Sequence, residues 1–215
     1  MTNATDGLRI GYVPGVTLTK WRRVWAERFP RQPLDVIEVT EEGQRKALLD
    51  GAVDMCFARQ PIDIDDLHFI PLYDEVTVVW AAKDHPITAF DEVSLDDLKD
   101  EDVRDSYDQT DIDAAVAEVA VLRVPLSIAR THNRRDLVHR PITDAPPSTV
   151  GLAWLRSNEH PLIQEFIGVV RGRSPQSSRT TSERKARTPE RSQPRPRAPR
   201  QAEPLPGRRR KSRRR

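Results

Sequence analysis

Three short stretches of the chain carry residues that can bind a small anion. The first reads VPGVTLT over residues 13–19, a glycine turn that is followed by two hydroxyl side chains at the start of a predicted helix. The second is FARQP, where Arg59 offers a planar donor for a carboxylate. The third begins after Pro125, where Ser127 offers a hydroxyl and a backbone N–H. The predicted ligand-binding residues are Gly15, Thr17, Thr19, Arg59 and Ser127.

Each of these residues also has a simpler interpretation. The glycine turn can be only a turn that needs flexible residues, Arg59 can be a surface arginine in a loop, and Ser127 can be a plain helix N-cap. The free N–H groups at the start of the helix after Gly15 favour an anion, because a helix N-terminus carries partial positive charge. A carboxylate or a phosphate would suit these N–H groups.

Other chemistries have little support in the sequence. The Gly-x4-Gly-Lys-Ser/Thr and GxGxxG patterns of nucleotide sites are missing, and so are the Gly-x-Ser-x-Gly and HExxH signatures of hydrolases. Asp63, Asp65 and Asp66 lack the glycine and glutamate of a calcium loop. Cys56, the single cysteine, lies in the apolar run VDMCFA and is predicted to be a buried, inert thiol. We expect neither an enzyme, nor a cofactor, nor a metal site.

Strands and helices alternate along the body of the chain, which predicts an α/β fold with parallel strands and right-handed crossovers. The predicted strands are Leu8–Tyr12, Pro33–Thr40, Val53–Ala58, Leu67–Leu72, Val76–Ala82, Val121–Pro125, Asp136–Ile142 and Thr149–Trp154. The predicted helices are 17–29 (capped by Thr17 or Thr19), a short one ending at Asp50, a turn opened by Ser94 and Asp97, 111–120, a turn at 127–132, and 158–170. This order fits two lobes, with residues 1–82 plus 137–170 in the first and residues 83–136 in a shortened second lobe.

The charge is distributed very unevenly. Residues 171–215 carry 17 Lys+Arg and three acids, whereas the preceding residues hold the remaining 18 of 35 basic and 30 of 33 acidic side chains. The C-terminal segment has Leu205 as its one large apolar residue, so we predict a disordered basic tail. Its end, GRRRKSRRR, is predicted to hold nucleic acid without reading sequence. The cations concerned are Arg208, Arg209, Arg210, Lys211, Arg213, Arg214 and Arg215.

No targeting or membrane signal is evident in the sequence. The N-terminus reads MTNATDG, which is polar, and no segment approaches the roughly 20 apolar residues of a membrane span. A cytoplasmic protein that does not contact a membrane is predicted.

Several stretches in a fixed order resemble the effector-binding domain of LysR-type transcription regulators. They are LRIGYVPGVT, WRRVWAERFP, GAVDMCFARQP, LYDEVTVVWAAKDHP, VPLSIARTH, DLVHRPITDAPPSTVGLAW and NEHPLIQEFIGVV, and together they span about residues 8–171. The resemblance implies a bilobed type 2 periplasmic-binding-protein fold with a small-molecule cleft between the lobes. It also implies a homodimer formed through the helix at 17–29.

The same resemblance leads to the functional prediction. Because the effector-like strand starts at Leu8, no helix-turn-helix precedes it in this sequence, and we expect the chain to lack its own DNA reader. The predicted function is a domain that senses a small organic anion for transcription regulation. The alternative is a nucleic-acid-associated protein that acts through its arginine-rich tail.

Overall fold

The computed structural model describes residues 7–132 and 134–172, which form two β-sheets with helices packed against them. The predicted α/β class is confirmed. The segment 173–215, with the predicted nucleic-acid-binding cations, lies outside the described residues. Within the described part, no helix combines the length and the apolar character that a membrane crossing needs.

The first sheet has five strands in the order β2-β1-β3-β9-β4. Its strands are β1 (Leu8–Tyr12), β2 (Leu34–Glu38), β3 (Met55–Arg59), β4 (Leu67–Glu75) and β9 (Ser148–Leu155). Strands β1, β2 and β3 run parallel, as predicted, and β9 runs antiparallel to both β3 and β4. The helices α1 (Thr19–Arg28), α2 (Gln44–Leu49) and α5 (Ile163–Val170) belong to this layer.

The second sheet has four strands in the order β6-β7-β5-β8. They are β5 (Thr77–Ala82), β6 (Val103–Arg104), β7 (Val121–Pro125) and β8 (Leu137–Pro141). The helices α3 (Gln109–Val116) and α4 (Leu126–His132) accompany it, together with 3-10 turns at Pro86–Ala89 and Asp96–Leu98. We call the first sheet with its helices the first lobe, and the second sheet with its helices the second lobe.

The chain changes sheets earlier and returns later than the sequence predicted. Strand β5 pairs with β7 and β8, so residues 77–82 and 137–141 lie in the second sheet rather than the first. The crossings are Val76, between β4 and β5, and the segment between Pro141 and Ser148. Sequence pattern missed this because β5 is an almost fully buried strand, and its apolar run does not say which sheet buries it.

Each lobe has its own apolar core. In the first lobe, Trp25 of α1, Phe57 of β3 and Phe166 of α5 are fully buried, and the Phe166 ring contacts the other two. Every residue of β3 is buried, as expected for a parallel strand that is covered on both faces. In the second lobe, Trp80 of β5 and Ile128 of α4 occupy the equivalent interior. Each sheet therefore has a packed support for the loops at its strand ends.

Two helix starts differ from the predicted ones. Helix α1 begins at Thr19 after Leu18, which makes no side-chain cap, so neither Thr17 nor Thr19 caps it. Helix α3 begins two residues before the predicted 111, because the Asp108 carboxylate accepts a hydrogen bond from the backbone N–H of Asp111 at 2.8 Å. It stops at Val116, two residues before Glu118 with its positive φ of 59°.

Candidate functional site

The candidate site lies where the parallel strands of the first lobe end. Gly15 follows β1, Glu41 follows β2, and Arg59 is the last residue of β3. The carboxyl ends of parallel strands are the usual ligand-binding edge of an open α/β sheet. Helix α4 of the second lobe approaches this edge and brings Ser127 within hydrogen-bond distance of Arg59. Three of the five predicted residues, Gly15, Arg59 and Ser127, are therefore neighbours.

Arg59 is the centre of a charged network at this edge. Its side chain is only 2% exposed, so the interpretation as a surface arginine is wrong. Nη1 donates to a carboxylate oxygen of Glu41, while Nη2 and Nε donate to Oε2 of Glu75 at 2.9 and 3.3 Å. Nη2 also donates to the carbonyl of Pro14 at 3.0 Å and to Ser127 Oγ at 3.3 Å. The guanidinium is thus paired with two of the protein's own carboxylates.

The backbone of Arg59 is held as firmly as its side chain. The buried amide of Gln44 donates from Nε2 to the carbonyl of Arg59 at 2.8 Å and accepts from its N–H at 2.9 Å. This pair ties the end of β3 to the start of α2. Because both partners are buried, the two bonds fix the direction in which the guanidinium leaves the strand.

Gly15 is required by close approach between the lobes. Its φ is +86°, and a Cβ at this position would collide with Ser127 Oγ and lie 3.2 Å from Nη2 of Arg59. Only glycine combines this backbone conformation with the lack of a side chain. The interpretation as a merely flexible turn is therefore incomplete, since the turn also makes room for the second lobe.

A cavity of about 480 Å³ opens beside this contact. Its walls come from both lobes and carry three hydroxyl groups, two carboxylates and one guanidinium. They are formed by Gly15, Thr17, Asp74, Glu75, Val76, Leu126, Ser127, Arg130 and Thr131. Arg130 forms no ion pair with any residue that the structure describes. The cavity therefore has the polar groups and the size of a small-molecule site.

Thr19 lies apart from this cavity. It lines a separate surface groove of about 560 Å³ between α1 and β2, together with Trp25, Phe29 and Leu34. Both tryptophans of α1 make contacts within their own lobe: Trp25 is buried, and the Trp21 ring stacks on Phe57 at 4.5 Å. Homodimerisation through α1 stays a prediction.

Tyr107 extends the network into the second lobe. Its hydroxyl donates to the same Glu41 oxygen that Arg59 contacts, at 3.1 Å, and its ring lies 6.0 Å from that of His132 on α4. Burial is the main reason that the pKa of Tyr107 is raised, and the Glu41 carboxylate adds to the effect. The phenol therefore stays a hydrogen-bond donor throughout the physiological range of pH.

Sequence reasoning missed Glu41, Glu75, Gln44 and Tyr107. Glu41 could have been predicted, since this residue follows β2 just as Gly15 follows β1 and lies at the same sheet edge. Glu75 falls between the predicted strands Leu67–Leu72 and Val76–Ala82, but it is the last residue of β4. Tyr107 precedes a helix of the other lobe, and no local pattern connects it with residue 41.

The remaining candidate chemistry of the body is limited. Burial raises the pKa of the Cys56 thiol to about 12, which fits the prediction of an inert side chain. Among residues 7–132 and 134–172, no group of three or more His, Cys, Asp or Glu side chains could hold a metal ion.

Comparisons with known proteins agree with the fold. Residues 4–104 match the family model of the LysR substrate binding domain. The chain is 27% identical over 99 residues to the HTH-type transcriptional regulator AlsR of Bacillus subtilis, covering 45% of this chain and 33% of AlsR. It is 22% identical over 199 residues to the Hca operon transcriptional activator HcaR of Escherichia coli, covering 77% of this chain and 67% of HcaR. The match to AlsR thus spans only a third of that regulator.

Solved structures show the same fold. The regulatory domain of OxyR from Pseudomonas aeruginosa, in a mutant form, superposes with a TM-score of 0.61 and 22% identity, covering 77% of this chain and 96% of that domain. The BenM effector binding domain with its effector benzoate has a TM-score of 0.62 and 19% identity, covering 78% and 91%. Both neighbours show that the described residues share this fold, and the family match identifies a LysR substrate-binding domain over residues 4–104.

Proposed function

We propose that this domain senses a small organic anion that binds between the lobes, in the cavity beside Gly15 and Ser127. The observation that carries the proposal is the convergence of both lobes on Arg59, with an open polar cavity next to it. The fold supports it, because the BenM neighbour has its effector benzoate in a domain of this fold. In this chain, ligand binding would change the separation of the two lobes, and that change would regulate transcription.

The anion is supported by Arg130 and by the hydroxyls of Thr17 and Ser127, which can all donate to a carboxylate. Asp74 and Glu75 line the same cavity, and their negative charges disfavour the binding of an anion. The charge of Glu75 is neutralised by Arg59. Asp74 accepts a hydrogen bond from the Thr149 hydroxyl at 2.7 Å but keeps its negative charge. This balance favours a ligand that places its anionic group towards Arg130 or Arg59.

The test is a thermal-shift screen of small organic acids against the whole protein. A ligand at 100 times its dissociation constant stabilises the folded protein by about 2.7 kcal/mol. Thr17→Val and Ser127→Ala should weaken that shift, because both remove a donor from the cavity wall. Thr19→Val is the matched control and should leave the shift unchanged, since Thr19 lines the other groove. Equal shifts in all three variants would overturn the assignment of the site.

One further prediction stays a prediction: the basic tail contacts nucleic acid. It is checked by measuring the salt dependence of DNA and RNA binding with and without residues 174–215, which hold most of the excess positive charge.

A further inference from the structure

Arg59 is neutralised by two glutamates that are held very differently. Glu75 ends a nine-residue strand, is 9% exposed, and accepts from both Nε and Nη2 of Arg59. Glu41 lies in the turn before α2, is 28% exposed, and accepts from only one nitrogen of Arg59, Nη1. If one of the two carboxylates can leave Arg59, it is Glu41.

The donors around the Glu41 carboxylate can bind a carboxylate of the protein or of a ligand equally. Glu41 Oε1 receives one N–H from the Arg59 guanidinium and one O–H from Tyr107, so a charged donor and a neutral donor converge on it. A carboxylate at this point accepts charge-assisted hydrogen bonds in a partly buried setting. Arg59 belongs to the first lobe and Tyr107 to the second, so whatever carboxylate they bind also bridges the lobes.

We propose that Glu41 is the internal occupant of a carboxylate subsite, and that an anionic ligand binds by taking its place between Arg59 and Tyr107. The proposal rests on the proposed function and adds to it the group that the ligand must carry. It makes Glu41 a specificity-determining residue, because a ligand must compete with a tethered carboxylate. An amide, which carries no charge to replace that of Glu41, would not compete.

The subsite is tested by chemical rescue of the whole protein. Glu41→Ala vacates the place and leaves Arg59 with Glu75 as its one remaining carboxylate partner among the described residues. Sodium acetate at constant ionic strength should then raise the Tm of this variant by about 3 °C more than it raises that of the wild type. Acetamide, the uncharged counterpart of acetate, should give no such rise. Glu42→Ala is the matched control, since Glu42 is an exposed neighbour of the same charge, and it should respond as the wild type does.

A second variant tests the position of the acetate. If acetate lies where the Glu41 carboxylate was, it also accepts the Tyr107 hydrogen bond, so Glu41→Ala/Tyr107→Phe should be rescued less than Glu41→Ala. Glu41→Gln keeps the shape and loses the charge, and it should respond between Glu41→Ala and the wild type. If the Glu41→Ala protein does not fold without acetate, Glu41→Gln takes its place in the comparison with Glu42→Ala.

Equal responses of the Glu41→Ala and Glu42→Ala proteins to acetate would overturn the subsite, and so would equal rescue with and without the Tyr107 hydroxyl. These outcomes are separate from failure of the proposed function. An organic acid that stabilises the wild type through Thr17 and Ser127, without acetate rescue of Glu41→Ala, would leave the sensing function intact and remove only the exchange at Arg59.

Discussion

The two lobes contribute to the cleft in different ways. The half from the first lobe is a dense network in which Arg59 is buried and bonded to Glu41, Glu75 and the carbonyl of Pro14. The half from the second lobe reaches this network through two hydroxyls, those of Ser127 and Tyr107. A rigid half that meets a lightly attached half is the arrangement expected of a cleft whose lobes move apart. The following substitutions test this difference, from the largest expected effect to the smallest.

Arg59→Met should have the largest effect. Breaking a buried ion pair by removal of one partner costs about 3–5 kcal/mol, because the remaining charges lose their compensation. Arg45→Met is the control, since Arg45 forms an exposed pair with Asp63, and such pairs contribute at most about 1 kcal/mol. Urea unfolding of both variants measures the difference. If Arg59→Met and Arg45→Met lower the free energy of unfolding equally, the half of the cleft from the first lobe is not the rigid one.

Gly15→Ala should have an intermediate effect and isolates the contact between the lobes. Gly15 and Gly51 both have positive φ, 86° and 67°, but a Cβ at Gly51 meets nothing within 4 Å. Both substitutions carry the cost of a left-handed residue, roughly 1–2 kcal/mol. Gly15→Ala should cost more, because its Cβ also meets Ser127.

Ser127→Gly provides the check on this interpretation. In the Gly15→Ala background it should recover part of the excess loss, since it removes the side chain that the new Cβ meets. Equal costs for Gly15→Ala and Gly51→Ala in thermal unfolding would mean that the lobes stand apart in solution.

Tyr107→Phe should have the smallest effect, a loss of about 1 kcal/mol, because it removes one hydrogen bond that the second lobe donates. Tyr73→Phe is the control. Within the part of the chain that the structure describes, the Tyr73 hydroxyl makes no hydrogen bond, so the loss there should be close to zero. A cost for Tyr107→Phe as large as that for Arg59→Met would contradict the idea of a lightly attached second lobe.

Much of the fold could be predicted from local pattern. Strands β1 and β7 were predicted with the residues that they have in the structure, Leu8–Tyr12 and Val121–Pro125. The parallel arrangement of β1, β2 and β3 followed from their alternation with helices. Sheet membership of β5 and β8 could not be predicted, since it depends on pairing between residues that are about 60 positions apart.

The candidate site was predicted only in part, for a physical reason. Gly15 and Arg59 lie at strand ends, which sequence pattern can locate, and they do meet in the structure. The counter-charges on Arg59 come from two separate elements, the turn before α2 and the end of β4, and whether an arginine is free or paired is decided by tertiary contacts alone. Thr19 was included because it lies near the same turn, but the start of α1 directs it to another surface.

Crystals of the protein soaked with small carboxylic acids would test the central claim most directly, because they show where an organic anion binds. We expect density in the cavity lined by Gly15, Thr17 and Ser127, or at the Glu41 position beside Arg59. Density confined to the groove between α1 and β2, lined by Thr19 and Trp25, would contradict it, and so would the absence of any bound acid between the lobes.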